Sequence, residues 1–256
     1  MGNTLGLGVG FYGLSGEGNA AVKIYTEPED LPNSENLGVY FDFARLTSDK
    51  YDYSSGDEVT AVTNLGAAGS GKNINSNEGT PRLDTTTLSK ASMVFDGNDD
   101  ILNMAAAFTT TNKAFTLFMV FQLSDISNDY LMARSSSSLT DYMRFIGSGG
   151  TLQTNMANEG AVSNTLNSTT GSTVDYTIAA NVPTLMVFRR DSSGNAYIYF
   201  DNFLYVSTKT NAAMRDAANF TLGAIGGTTD GTKADITGVI GEIGLYDADI
   251  GTSQIE

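Results

Sequence analysis

Hydrophobic positions in this chain come in short runs separated by Gly, Asn, Asp, Ser and Thr. Within the runs, apolar and polar residues alternate or the run is wholly apolar, which predicts half-buried and fully buried strands rather than helices. The series begins at Val39-Tyr40-Phe41-Asp42-Phe43 and Asp57 to Thr63. It continues through Met93-Val94-Phe95, Ile101-Leu102-Asn103-Met104, Phe115 to Leu123, Tyr130 to Ala133 and Tyr142 to Ile146. Thr184 to Arg189 follows, then Ala196 to Phe200 turning at Asp201-Asn202 into Phe203 to Val206, a predicted hairpin. Phe220 to Gly223 and Asp235 to Tyr246 close the series. Many short strands joined by turn residues, with no repeat of fixed period, predict an all-β sandwich and disfavour a propeller or solenoid.

The first part of the chain breaks this pattern. Gly6, Gly8, Gly10, Gly13, Gly16 and Gly18 punctuate Leu5, Leu7, Val9, Phe11, Tyr12 and Leu14, and Glu27-Pro28-Glu29-Asp30-Leu31-Pro32-Asn33 reads as an extended acidic linker. A glycine-rich segment has little reason to fold alone, yet its aromatics are costly to leave in water. Residues 1–35 are therefore expected to be a docking arm and linker that lies against a partner through Leu5, Leu7, Val9, Phe11 and Tyr12, and residues 36–256 to be one β domain.

Composition narrows the function classes. A length of 256 residues suits one large β core. A formal charge of −15 opposes nucleic acid, whose phosphates need clustered Lys and Arg. No window has the apolar length of a membrane span, and the N-terminus lacks the pattern of an export signal. Gly6 stands where a myristoylation start wants Ser or Thr. With no Cys, stability must come from packing.

The segment Phe95-Asp96-Gly97-Asn98-Asp99-Asp100-Ile101-Leu102, followed by Ala114-Phe115-Thr116, resembles the FDGxDDxL turn and next strand of the laminin-G-like, concanavalin-A-like jelly-roll superfamily. Tyr40 to Ala44 is similar to the family's first strand, Asp57 to Asn64 to its second, Gly66 to Asn73 to the glycine-rich loop after it, and Ile240 to Tyr246 to its last. A Trp common in the second strand is replaced here by Val62. The resemblance implies a two-sheet antiparallel jelly-roll sandwich, concanavalin A-like, with the extended arm in front of it.

Few residues offer catalytic chemistry. The absence of His and Cys removes the common acyl-transfer constellations. A jelly-roll glycanase sets paired carboxylates on one strand, whereas Glu242 stands alone on the closing strand and reads as solvent-facing, and Glu159 falls in a polar loop. No enzyme is expected. Gly8 to Gly13 has dinucleotide-loop spacing without a preceding strand, and Gly66 to Asn73 nearly completes a phosphate loop but has Asn73 at the hydroxyl position and no helix after it. Both read as turns, so no cofactor is expected. Asp96, Asn98, Asp99 and Asp100 offer hard oxygens for Ca2+, although a purely structural turn uses the same residues. Tyr197, Tyr199, Phe203 and Tyr205 read as core residues rather than a sugar-stacking strip, and Arg189-Arg190 as a strand-end charge pair.

By resemblance, the chain is similar to proteins on the virions of tailed bacteriophages, as capsid decoration or tail-associated components. That implies a non-enzymatic structural or accessory role, other virion proteins as partners of the arm, a homo-oligomeric or symmetric multi-copy assembly, and a location on the virion or, before assembly, in the infected cell's cytoplasm. The alternative expectation is a carbohydrate-binding adhesin that recognises a host-surface glycan.

Overall fold

The computed structural model describes residues 33–47, 52–111, 114–126, 130–133, 141–146, 151–156, 165–167, 178–193, 195–201, 203–209, 221–226 and 236–251. The five arm residues Leu5, Leu7, Val9, Phe11 and Tyr12 lie outside this set. The strands, in chain order, are β1 (Leu37–Asp42), β2 (Ala61–Val62), β3 (Ile74–Glu78), β4 (Arg82–Asp84), β5 (Ser92–Asp96), β6 (Ile101–Thr109), β7 (Phe115–Leu123) and β8 (Tyr130–Ala133). They continue as β9 (Asp141–Ile146), β10 (Thr151–Met156), β11 (Thr165–Asn167), β12 (Thr184–Arg190), β13 (Ala196–Phe200), β14 (Phe203–Lys209), β15 (Thr221–Ile225) and β16 (Thr237–Tyr246).

Two antiparallel sheets form the expected sandwich. The first runs β14-β13-β12-β7-β16-β5-β4, with β1 also paired to β16, and the second runs β11-β10-β9-β8-β15-β6-β3-β2. Alternation sends Phe115, Leu117, Met119 and Phe121 of β7, with Met186 and Phe188 of β12 and Ile240, Ile243 and Leu245 of β16, into the space between the sheets. Leu102, Leu131, Met132, Leu222 and Ile225 meet them from the second sheet. Burying side chains of this size contributes about 1.5–3 kcal/mol each relative to leaving them exposed.

The central element is β16. One edge of it pairs with β7 along most of its length. Its other edge is shared: Thr237 to Ile240 pair with β5, and Glu242 to Tyr246 pair with β1. The changeover falls at Gly241, where the register against β7 also shifts by one residue, a β-bulge.

The Phe95 to Leu102 segment is a corner between the sheets, because β5 belongs to the first and β6 to the second. The glycine-rich loop of residues 66–73 is a turn, as its sequence predicts, with a short 3-10 turn at Ser70–Lys72. Gly66 lies so close to β1 that a Cβ there would sit 2.6 Å from the Gly38 carbonyl oxygen, which excludes a larger residue. Asn64 fixes this loop: its Oδ1 accepts from the backbone N–H groups of Tyr40 (2.8 Å) and Gly66 (3.0 Å), and its Nδ2 donates to the carbonyls of Gly38 (3.1 Å) and Gly69 (3.2 Å).

Candidate functional site

The outward face of the first sheet carries a second layer of packed residues. Leu37, Tyr40, Phe118, Val187, Tyr199, Tyr246 and Ile250 cluster there, with Leu65, Leu185 and Tyr197 against them. Phe118 sits between Tyr40 and Tyr246, with ring centroids 6.2 and 6.3 Å away. Tyr199 is thus a buried core residue, but of the outward layer rather than the space between the sheets, and Tyr197 packs partly exposed against it. Residues 196, 198 and 200 take the inward positions of β13. The side chains of Phe203 and Tyr205 lie outside the described set.

At one end of this face the polar groups converge. Arg189 of β12 and Tyr197 of β13 are directly opposite each other, and the guanidinium carbon stands 4.8 Å from the centre of the Tyr197 ring, a cation–π contact. The same guanidinium forms a two-pronged pair with Asp249, Nε donating to Oδ1 and Nη2 to Oδ2 (2.9 Å), and this partner raises the Arg189 pKa above its ordinary value. The Tyr197 hydroxyl donates to Asp191 Oδ2 at 3.1 Å. Asn195 donates to the same carboxylate from its backbone N–H (2.8 Å to Oδ1) and from its side-chain amide (2.9 Å to Oδ2).

Burial pushes the Asp191 carboxyl up, but the Asn195 and Tyr197 hydrogen bonds outweigh it and hold the group below the usual range. Burial and the Asp191 bond together raise the Tyr197 phenol. The result is a partly exposed aromatic ring fixed in orientation from both its face and its hydroxyl, flanked by a guanidinium, two carboxylates and an amide. Arg189 is therefore engaged on the outer face, and Arg190 is buried on the inner side with 1% of its surface exposed. Both close β12, as the sequence reading expected, but each is packed into the structure rather than standing free at the strand end.

The other end holds Glu242, where the structure again corrects the sequence. Glu242 is buried, not solvent-facing, and accepts a 2.6 Å hydrogen bond from the Tyr40 hydroxyl. Burial pushes its carboxyl up to about 7; the Tyr40 bond lowers it and the nearby Asp42 charge raises it. Asp42 lies directly opposite on β1, so a second carboxylate is present across the strands although none is on β16 itself. The Tyr40 phenol is raised far above its ordinary value, by burial first and by Glu242 second.

The acidic turn closes on itself. Asp100 Oδ1 accepts from the Thr80 N–H (2.9 Å) and its Oδ2 from the Asp96 N–H (3.0 Å), while Asp96 Oδ1 accepts from the Asn98 N–H (2.9 Å). Gly79, at φ +63°, approaches so closely that a Cβ would stand 2.7 Å from Asp100 Oδ1. Burial raises the Asp100 pKa in spite of its two N–H donors. Carboxylate oxygens of Asp96, Asp99 and Asp100 lie within 4.8 Å of one another, which is the donor chemistry Ca2+ takes, but three carboxylates are fewer than the six to eight oxygens it usually gathers.

Two residues of consequence escape the sequence reading. Asn64 has no local signal for its four-way role. Asp249 does not announce its pairing with a residue sixty positions away. Glu242, by contrast, has a readable signal: Ile240 and Ile243 are both inward and three apart with Gly241 between, a spacing that breaks period two and marks a bulge.

No protein-family model matches the chain, and no curated protein matches it. Solved structures do. Domain 4 of an extracellular arabinanase from Geobacillus stearothermophilus, solved with arabinotriose, superposes with a TM-score of 0.56 at 12% identity, covering 86% of this chain and 96% of that one. The receptor-binding domain of a botulinum neurotoxin C/D mosaic gives 0.62 at 8% identity over 87% of this chain. A Trypanosoma rangeli sialidase bound to sialic acid gives 0.56 at 11% over 92%. The chain spans 50% of the toxin domain's length and 35% of the sialidase's. At these identities the likeness shows the fold alone: this chain is an antiparallel β-sandwich of the kind those structures contain.

Proposed function

We propose that this protein is a non-enzymatic glycan-binding module whose contact surface is the Arg189–Tyr197–Asp191 end of the first sheet. The observation that carries the reading is the Tyr197 ring, partly exposed and held by Arg189 against one side and by Asp191 at its hydroxyl. Sugars present an apolar C–H face and a rim of hydroxyls, so a fixed aromatic plane beside carboxylate and amide acceptors is complementary to both. A structural neighbour solved with arabinotriose and another that is a receptor-binding domain support the reading by fold likeness. Placement on a bacteriophage virion, with the arm as its anchor, draws on the sequence resemblance alone.

Glycoside hydrolysis is not part of the proposal. Two carboxylates would have to flank a bound glycosidic bond, whereas Glu242 is buried and already accepts the Tyr40 hydroxyl. The direct test is a glycan array with the intact protein and its Tyr197→Ala variant. Selective binding that drops about tenfold or more in the variant, with the thermal midpoint retained, is the expected result. An array with no selective binding sinks the reading.

A further inference from the structure

We infer that the Arg189–Tyr197–Asp191 cluster selects uncharged sugars and rejects carboxylated ones such as sialic and uronic acids; this rests on the glycan-binding reading above and specifies its ligand class. A guanidinium recognises a carboxylated sugar through paired N–H groups turned to the ligand. Here those groups are turned to Asp249: Nε and Nη2 both donate to its carboxylate, and the pair is largely buried, at 11% and 20% side-chain exposure. Arg189 therefore serves the site as a plate against the Tyr197 ring rather than as an anion receptor.

The remaining charge points the same way. Asp191 is a second carboxylate beside the ring, held ionised by three hydrogen bonds from Asn195 and Tyr197. Within the cluster two carboxylates face one guanidinium, and the chain as a whole carries −15. A carboxylated ligand arriving here would meet like charge at close range, where repulsion is least screened. Sugar hydroxyls, in contrast, donate to a carboxylate that Asn195 and Tyr197 already orient.

The experiment is calorimetric titration of the intact protein with neutral oligosaccharides and with their sialylated or glucuronylated counterparts, at low and at 0.15 M salt. The expected result is at least about a tenfold preference for the neutral series, largest at low salt, where charge repulsion is least screened. An Asp249→Asn variant releases Arg189, and the neutral-to-acidic preference should fall by about tenfold. Equal or tighter binding of an acidic sugar by the unmodified protein overturns this inference while leaving glycan binding intact. An unchanged preference in a folded Asp249→Asn variant does the same. Binding of neither series overturns both.

Discussion

The Tyr40 hydroxyl donates a 2.6 Å hydrogen bond to the Glu242 carboxyl where β1 takes over from β5 along the edge of β16. The bond joins residues 202 positions apart at the point where the central strand changes partner. Leu88 approaches Gly241 at this junction, and Lys90 and Arg45 act on the Glu242 charge. The pair therefore couples the protonation of one carboxyl to the closure of the sheet.

The first prediction follows from that coupling. Folding raises the Glu242 pKa from 4.5 to about 7, so the native state holds a proton that the unfolded state has released between those values. Stability from this group is full below pH 4.5 and is lost as pH rises towards 7, by about 3 kcal/mol in total at 1.36 kcal/mol per pKa unit. Denaturant midpoints should accordingly be higher at pH 5 than at pH 8. Glu242→Gln should flatten that slope, and a slope that survives the substitution refutes the assignment.

Tyr40→Phe removes the donor and leaves the carboxyl buried. The expected loss is about 1–3 kcal/mol, accompanied by a further upward move of the Glu242 titration, since the hydrogen bond lowers it. A titration monitored by carboxyl carbon shifts reads the second effect independently of the first.

Asn64→Ala should be among the most damaging polar substitutions. It removes the side-chain acceptor of the Tyr40 and Gly66 N–H groups and one of the donors to the Gly38 and Gly69 carbonyls, which keep the Ala68 and Lys72 N–H groups, and a backbone group left unsatisfied costs about 1–3 kcal/mol where water cannot reach it. The urea midpoint should fall by the equivalent of about 3 kcal/mol with little change in slope.

For the acidic turn, Ca2+ or a chelator is expected to leave the thermal midpoint unmoved, because Asp100 and Asp96 already hold the backbone of the corner. An ion bound only by the folded state must raise that midpoint. A saturable rise would make Asp96, Asp99 and Asp100 ligands instead.

If residues 1–35 are a tether, deleting them should leave a folded domain that no longer assembles. Unchanged assembly of the truncated chain removes the tether role of Leu5, Leu7, Val9, Phe11 and Tyr12.

The sandwich was legible because its main strands keep period two: Phe115 to Phe121 and Ala196 to Phe200 alternate cleanly between inner and outer faces. Ile74–Glu78 and Thr151–Met156 were not legible, being short and polar. They become strands by pairing with β6 and β9, a tertiary effect that local propensity does not carry. Tyr199 is buried as a core reading expects, but the face it and Tyr197 take was not legible, since alternation reports that two residues share a face, not which face it is. Gly241 then reverses the simple reading of Glu242 by inserting one residue, and the Arg189–Asp249 pair depends on a segment beyond the last strand folding back across the sheet.

The position of β16 also sets the order in which the chain can become a domain during synthesis. Strands β1, β5 and β7 all pair with a segment made later than every other strand described. Until residue 246 is available, those three expose unpaired edges, and their contacts close over some of the longest sequence separations in the molecule. The nascent chain must therefore wait, open along its centre, and then complete its first sheet in a late step. Folding should be slow and should wait on the emergence of β16, and chains cut short before β16 should aggregate rather than form a partial sandwich.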